Sequence, residues 1–222
     1  MVFRNVIVCR MVPGSEQKVA DVFGHYDKAT RPQDFGVVGR VLLSLEDLYI
    51  HVVEREQDPK VSGQTRGLPA FQQIADEIAP YVTPYPREWQ NPSDSVAKEF
   101  YSWTAPPESQ GPGANLMVIV QRLKPGSEPE VARIFRESDA GPLPIQMGVN
   151  GRWLYSIDDV YVHLMERTDK AVAEGREVNH DLPPFAKIMA ELSAYASPYN
   201  PATWRNAGDS MAKPFYRWQA AD

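Results

Sequence analysis

This sequence predicts an α+β protein built from two ferredoxin-like domains, and three observations lead there. The chain repeats itself almost end to end. Each repeat alternates short apolar runs with helical periods in the order β, α, β, β, α, β. The composition, 43% hydrophobic and 23% charged over 222 residues, is that of an ordinary globular protein. The repeat is plain in the residues. Pro13-Gly14-Ser15 recurs as Pro125-Gly126-Ser127, an offset of 112, and Gly36, Arg40, His51 and Glu54 recur at Gly148, Arg152, His163 and Glu166. From Gly36 to Arg55, 11 of 20 positions are identical to their partners at that offset, so the chain is a tandem duplication. The offset widens to 114 at Phe71 and Phe185 and to 115 at Trp89 and Trp204, as loops lengthen. The seam is the run TAPPESQGPGA over 104–114, whose Pro, Gly and Ser read as a connector. The expected division is a first domain over 1–105, a Pro/Gly-rich linker over 106–114 and a second domain over 115–222. A linker of this length also allows the halves to exchange segments.

The elements follow in order. Asn5 to Met11 is a short apolar run and predicts a strand. Pro13-Gly14-Ser15 then supplies a turn and a cap, after which Val19, Val22 and Phe23 fall at helical spacing. Val37 to Ser44 predicts the second strand, LEDL a hairpin turn, and Leu48 to Glu54 the third strand. Leu68 to Tyr81 predicts a helix with Phe71, Ile74 and Ile78 on its apolar side. AKEFYSW, ending at Trp103, predicts the closing strand. The second half repeats the pattern. Two four-stranded sheets of this kind can pack face to face, so the duplication offers an internal pseudo-dimer of the dimeric α+β barrel type in place of a homodimer.

Charge and motif content narrow the function. The formal net charge is −6 and the pI about 5.3, which argues against nucleic acid or an anionic membrane surface as the main partner. No stretch approaches the roughly 18 apolar residues of a membrane helix, and the first residues lack a secretion signal; a cytoplasmic protein is expected. The one cysteine, Cys9, allows no internal disulfide. It lies inside a strand and its counterpart is Gln121, which speaks against a nucleophile. The sequence holds no HExxH, CxxC pair, phosphate-binding Gly loop or nucleophile elbow, so neither a metal nor a cofactor is expected.

The third strand carries the chemistry. YIHVVER (49–55) and YVHLMER (161–167) each set a histidine in an apolar run. Strand alternation puts Tyr49, His51 and Val53 on one face, and Arg40, Leu42 and Ser44 share a face of the preceding strand. Arg40 and His51, and likewise Arg152 and His163, can then face one cavity. Two readings stand. In the structural one, His51 is a buried, bonded core residue and Arg40 is tied to Glu54 or Asp47. In the functional one, the histidine shuttles a proton and the arginine holds a developing oxyanion. Asp27 and Asp139, matched at the end of the first helix of each half, are either solvated C-terminal residues or carboxylates at the pocket mouth that orient His51 or accept a proton. Arg10 and Arg122 also keep their place. Trp89 and Trp204 and the endings Phe100-Tyr101-Trp103 and Phe215-Tyr216-Trp218 read as packing, or as the wall of a site for a flat aromatic ligand. His180 falls in a second-half loop and is assigned no role.

On these residues the chain resembles the tetracenomycin-type aromatic polyketide cyclases. The resemblance runs through RMVPGS…VFGHYD, GVVGRVLLSLEDLYIHVVE and PYPREW…DSVAKEFYSWTAP, and again through RLKPGSEPEVARIFRESD, LPIQMGVNGRWLYSIDDVYVHLMER and PYNPATWRNAGDSMAKPFYRW. It covers essentially all of the chain, in two copies. It implies a ferredoxin-like fold, usually dimeric, that works without metal or cofactor on a poly-β-ketone or a partly cyclised aromatic intermediate. Such enzymes close a ring by intramolecular aldol condensation and dehydration in antibiotic biosynthesis, a lyase chemistry, beside the components of a type II polyketide synthase. The implied pocket residues are Arg40, His51 and Asp27, with Arg152, His163 and Asp139 in the second half. Two departures stand out: a family-typical histidine before the aspartate is replaced by Tyr26 and Ser138, and TRPQDFGV in the first half replaces the pattern that the second keeps as PLPIQMGV. Two alternatives remain: a cofactor-free anthrone oxygenase, and a non-catalytic subunit that binds the polyketide and shapes its folding.

Overall fold

The structure is a computed structural model and describes residues 2–57, 69–86, 88–174 and 183–220. Leu68, where the second helix was expected to begin, and His180 lie outside the described residues. Each repeat runs strand, helix, strand, strand, helix, short strand, long strand. In the first repeat these are β1 (Phe3–Met11), α1 (Glu16–Ala29), β2 (Val37–Leu45), β3 (Leu48–Arg55), α2 (Pro69–Ile78), β4 (Val82–Pro84) and β5 (Lys98–Thr104). In the second they are β6 (Asn115–Leu123), α3 (Glu128–Asp139), a short α4 (Leu143–Gln146), β7 (Val149–Ile157), β8 (Val160–Arg167), a short α5 (Asp169–Ala173), α6 (Pro183–Leu192), β9 (Ala196–Pro198) and β10 (Lys213–Gln219). Among the described residues no helix is long and apolar enough to cross a membrane.

The expected ferredoxin-like core is present, but each sheet has five strands rather than the expected four. The strand that occupies the fourth ferredoxin-like position is not the long aromatic one. It is the three-residue β4 in one sheet and β9 in the other, neither of which the sequence announced. With that edge of β1 taken, the aromatic strand pairs on the outer edge of β2 or β7. It does so crosswise: the antiparallel sheets run β10-β2-β3-β1-β4 and β5-β7-β8-β6-β9. The sequence repeats are therefore not the compact units. Those are Met1–Ala97 with Ala212–Asp222, and Lys98–Met211.

The connector over 106–114 belongs to the second unit and is held there by β7. Asn150, 9% exposed, accepts from the Gly111 N–H and donates to the carbonyls of Gly111 and Gly113.

Two local features aim the functional strands. The β2–β3 hairpin turns on Glu46 at φ 53°, which pins the register Leu45↔Leu48, Ser44↔Tyr49, Leu42↔His51, Arg40↔Val53. A bulge lies between Val37 and Gly39, directly before Arg40, and repeats between Val149 and Gly151 before Arg152; bulges re-aim the side chains that follow them. A Cβ on Gly39 would stand 2.8 Å from Glu54 Oε2 and Gln219 Oε1, the ends of two flexible side chains that close over the bulge. The core of the first unit lies between the sheet and the helices, where Met11, Val19, Phe23, Leu42 and Tyr49 pack with Ile74 and Ile78 of α2. Phe71, expected on that apolar side, is 38% exposed. The second unit packs Leu123, Val131, Phe135, Leu154 and Tyr161 in the same way.

Candidate active site

The register places Tyr49, His51 and Val53 on the sheet face that carries Ser44, Leu42 and Arg40. Helix α1 lies over this face with Val19, Phe23, Tyr26 and Asp27 buried at successive helical positions. One turn separates Phe23 from Asp27, so the carboxylate lands beside Arg40. Asp27 Oδ1 is 3.2 Å from Arg40 Nη2, and the two side chains are only 2% and 6% exposed. The ion pair offsets the unfavourable end of the helix dipole, since a carboxylate near a helix C-terminus is poorly placed. Tyr216 of β10 donates its hydroxyl to Asp27 Oδ2 at 2.8 Å. The Arg40 guanidinium also lies over the rings of Phe23, at 5.2 Å, and Trp218, at 6.0 Å.

The second unit repeats the arrangement. Arg152 Nε lies 3.2 Å from Asp139 Oδ1, in an ion contact without hydrogen-bond geometry, and Tyr101 donates to Asp139 Oδ2 at 2.8 Å. Arg152 lies over Phe135 at 4.9 Å.

Each histidine packs edge-on against a phenylalanine of the covering helix, His51 on Phe23 at 5.2 Å and His163 on Phe135 at 5.1 Å. His51 Nε2 and His163 Nε2 are buried with no hydrogen-bond partner among the described residues. So are Arg40 Nε and the hydroxyls of Tyr49 and Tyr161. Buried polar atoms ordinarily find partners, yet the same set is left unpaired in both units.

Six expected site residues are thus brought together as two triads: Asp27, Arg40 and His51, and Asp139, Arg152 and His163. The finer expectations divide. Arg40 is tied neither to Glu54, which binds Arg4 at 2.9 Å, nor to Asp47, which binds the half-exposed Arg10; its partner is Asp27. Asp27 and Asp139 are not solvated, being 6% and 8% exposed. Their contacts are to the arginine and the tyrosine. Trp89 and Trp204, expected in packing, are 39% and 40% exposed and donate their indole N–H to Ser95 and Ser210. Tyr26 donates to Glu77 of α2 at 2.6 Å, whereas the matching Ser138 hydroxyl is buried without a partner among the described residues. Burial pushes the Cys9 thiol up to about 11, which suits an inert core thiol. Among the described residues no three of His, Cys, Asp and Glu stand together as a metal site.

Sequence reasoning missed the two tyrosines that bind the aspartates. Tyr216 comes from the second repeat and completes the first unit's site; Tyr101 comes from the first repeat and completes the second's. Removing a hydrogen bond to a charged acceptor costs about 1.5–3 kcal/mol. Tyr216→Phe is expected to lose that much, and to speed hydrogen exchange in α1 and β2 rather than in α3 and β7. Tyr101→Phe is expected to do the reverse. Exchange measured by mass spectrometry on peptides from the four elements reads the crossing directly.

The electrostatics are dominated by burial. It lifts the Asp27 and Asp139 carboxyls above their ordinary value, against the opposing pull of the arginine and the tyrosine hydroxyl. It lowers Arg40 and Arg152, and the aspartates pull them back up. It holds His51 and His163 well below the ordinary imidazole value, helped by Arg40 and Arg55 in the first unit and by Arg152 in the second. Both imidazoles are therefore neutral at pH 7. The unfolded chain takes up protons below about pH 6.5 that the folded chain refuses, so the stability these residues contribute is full above that pH and falls below it. The expected slope is about 1.4 kcal/mol per pH unit for each histidine. The raised carboxyls act with the opposite sign, so the test is differential. Urea midpoints measured between pH 7.5 and 5.5 should fall more steeply for wild type than for His51→Asn/His163→Asn.

Comparison with known proteins agrees with this architecture. The polyketide synthesis cyclase profile matches residues 3–104 and again 115–219. Tetracenomycin F2 cyclase of Streptomyces glaucescens is 39% identical over 107 residues, which is 48% of this chain and 98% of that protein. An uncharacterized protein of Streptomyces coelicolor is 46% identical over 104 residues, covering 46% of this chain and 92% of its own length. A solved structure described as a putative monooxygenase from Fusobacterium nucleatum superposes with a TM-score of 0.57 over 98% of this chain and 94% of its own, at 13% identity, a likeness of fold alone. With the family profile matched twice over most of its length, the chain belongs to the polyketide synthesis cyclase family, as a tandem pair.

Proposed function

We propose that the protein is a cofactor-independent aromatic polyketide cyclase that closes a ring of a poly-β-ketone by intramolecular aldol condensation and dehydration. The observation that carries this reading is a buried, neutral imidazole whose Nε2 has no partner among the described residues, on one sheet face with a buried arginine, twice in one chain. A methylene between two ketones is already acidic, so a neutral histidine is base enough. His51 Nε2 takes a methylene proton, leaving an enolate. The enolate carbon forms a bond to a distant ketone carbon, and the C=O π electrons move onto oxygen. The Arg40 guanidinium, held by Asp27 and Tyr216, faces that developing alkoxide. The alkoxide takes that proton back from the His51 imidazolium to give a β-hydroxy ketone and restore the neutral base. Loss of that hydroxyl as water, with a proton from the adjacent carbon, gives the double bond that aromatises the ring. His163, Arg152 and Asp139 do the same in the second unit. Holding the chain so that one carbon meets one carbonyl supplies up to about 7–11 kcal/mol of barrier reduction, and the proton shuttle adds about 10²–10⁴ in rate.

The substrate would be an aromatic polyketide intermediate, delivered by components of a type II synthase. The test is reconstitution of a minimal aromatic polyketide synthase with and without the protein, with products resolved by chromatography and mass spectrometry and oxygen monitored. A shift from mixed shunt products to one dehydrated ring system without oxygen uptake supports the cyclase. Oxygen consumption with quinone formation would make it an oxygenase instead.

A further inference from the structure

We infer that the Tyr49 and Tyr161 hydroxyls are substrate-binding groups, which donate to the enolate oxygen of the nucleophilic half of the polyketide; this rests on the cyclase reading above. Tyr49 is 2% exposed and Tyr161 1%, and both rank among the largest fully buried side chains of the chain. A buried phenol normally places its hydroxyl on an acceptor. Neither of these does among the described residues. The residues opposite them in the ladders are Cys9 and Ser44 for Tyr49, and Gln121 and Ser156 for Tyr161. Gln121 carries an amide that could accept, and no hydrogen bond forms. Packing alone would be served better by phenylalanine, which fills the same space without an unsatisfied oxygen. That both units keep the hydroxyl in this setting points to a partner outside the chain.

The register says which part of a ligand it would meet. Along the shared face Tyr49 stands opposite Ser44, His51 opposite Leu42, and Val53 opposite Arg40. Tyr161, His163 and Arg152 take the same places in the second unit. The row is thus tyrosine, histidine, arginine, with the base in the middle and ring centroids 6.1 and 6.2 Å apart between tyrosine and histidine. A methylene offered to the histidine has its own carbonyl toward one flank and the acceptor carbonyl toward the other. The arginine serves the acceptor, which leaves the tyrosine for the oxygen of the enolate. Burial holds both phenols above their ordinary value, so they stay protonated and donate without giving up the proton.

The test uses the full chain with Tyr49→Phe, Tyr161→Phe and the double substitution. Three quantities are read: the melting temperature, the affinity for 1,8-dihydroxyanthraquinone by tryptophan quenching, and the product profile in the reconstituted synthase. The inference expects a melting temperature equal to or above wild type in each variant. It expects roughly tenfold weaker quinone binding and slower cyclisation in the double variant. A lowered melting temperature would show a structural partner for the hydroxyl and overturn the inference. So would unchanged binding and products, with the cyclase reading intact as long as wild type cyclises. A wild type that neither binds the quinone nor redirects products removes the cyclase reading, and the tyrosine role with it.

Discussion

Arg152→Met is expected to lower the unfolding free energy by about 3–5 kcal/mol, because it strands the Asp139 carboxylate in a site it can occupy only beside a cation. Asp139 and Arg152 side chains are 1% and 6% exposed, so water cannot take over the missing charge. Tyr101 would still donate to the carboxylate, but one neutral hydrogen bond does not replace a guanidinium. Asp139→Leu alone is expected to cost a similar amount, since it leaves the guanidinium buried on the face of Phe135. The double substitution Arg152→Met/Asp139→Leu should recover most of the loss, because a buried pair replaced by apolar groups of similar size is often neutral. Urea unfolding of the three variants checks this. Single losses under about 1 kcal/mol would mean that the pair behaves as a surface ion pair. The same set at Asp27 and Arg40 should follow, with Tyr216 in the place of Tyr101.

The recovery in the double variant also separates stability from function. The pair is not the cheapest way to fill that space, and what it contributes is a cation held on the face that carries His163. A folded Arg152→Met/Asp139→Leu protein with an inactive second unit is what a site device would give.

The parts of the site visible in the sequence were those set by local periodicity. Strand alternation alone placed Tyr49, His51, Arg40 and Ser44 on one face, and the two-residue hairpin turn at Glu46 and Asp47 brought them into register. Asp27 was visible only as an identity at an offset of 112, because nothing in a helix ending YDKA marks a buried carboxylate. For Arg40 the sequence offers Glu54 or Asp47 as partner, because both are closer along the strands. The bulge at Gly39 turns Arg40 toward the helix instead. The crossed strands were beyond local reasoning for a different reason. KEFYSWT and KPFYRWQ carry the same Phe-Tyr-x-Trp pattern, so either fits the edge of β2 or of β7. Choosing between them depends on where the chain goes after Ala97, and with it went the role of Tyr101 and Tyr216. The short β4 and β9 were hidden because three residues carry no period, although they decide which sheet edge stays open.

The central claim is that each unit uses its buried histidine as the base of a ring closure, and the most direct measurement is the product profile of the reconstituted synthase with His51→Ala, His163→Ala and both. General-base removal is worth about 10²–10⁴ in rate. The double variant, still folded, is expected to cyclise that much more slowly and to leave the shunt products seen without the protein. The single variant that reproduces this loss identifies the working unit, and equal partial losses mean that both work. A double variant that redirects the polyketide as well as wild type would contradict the account.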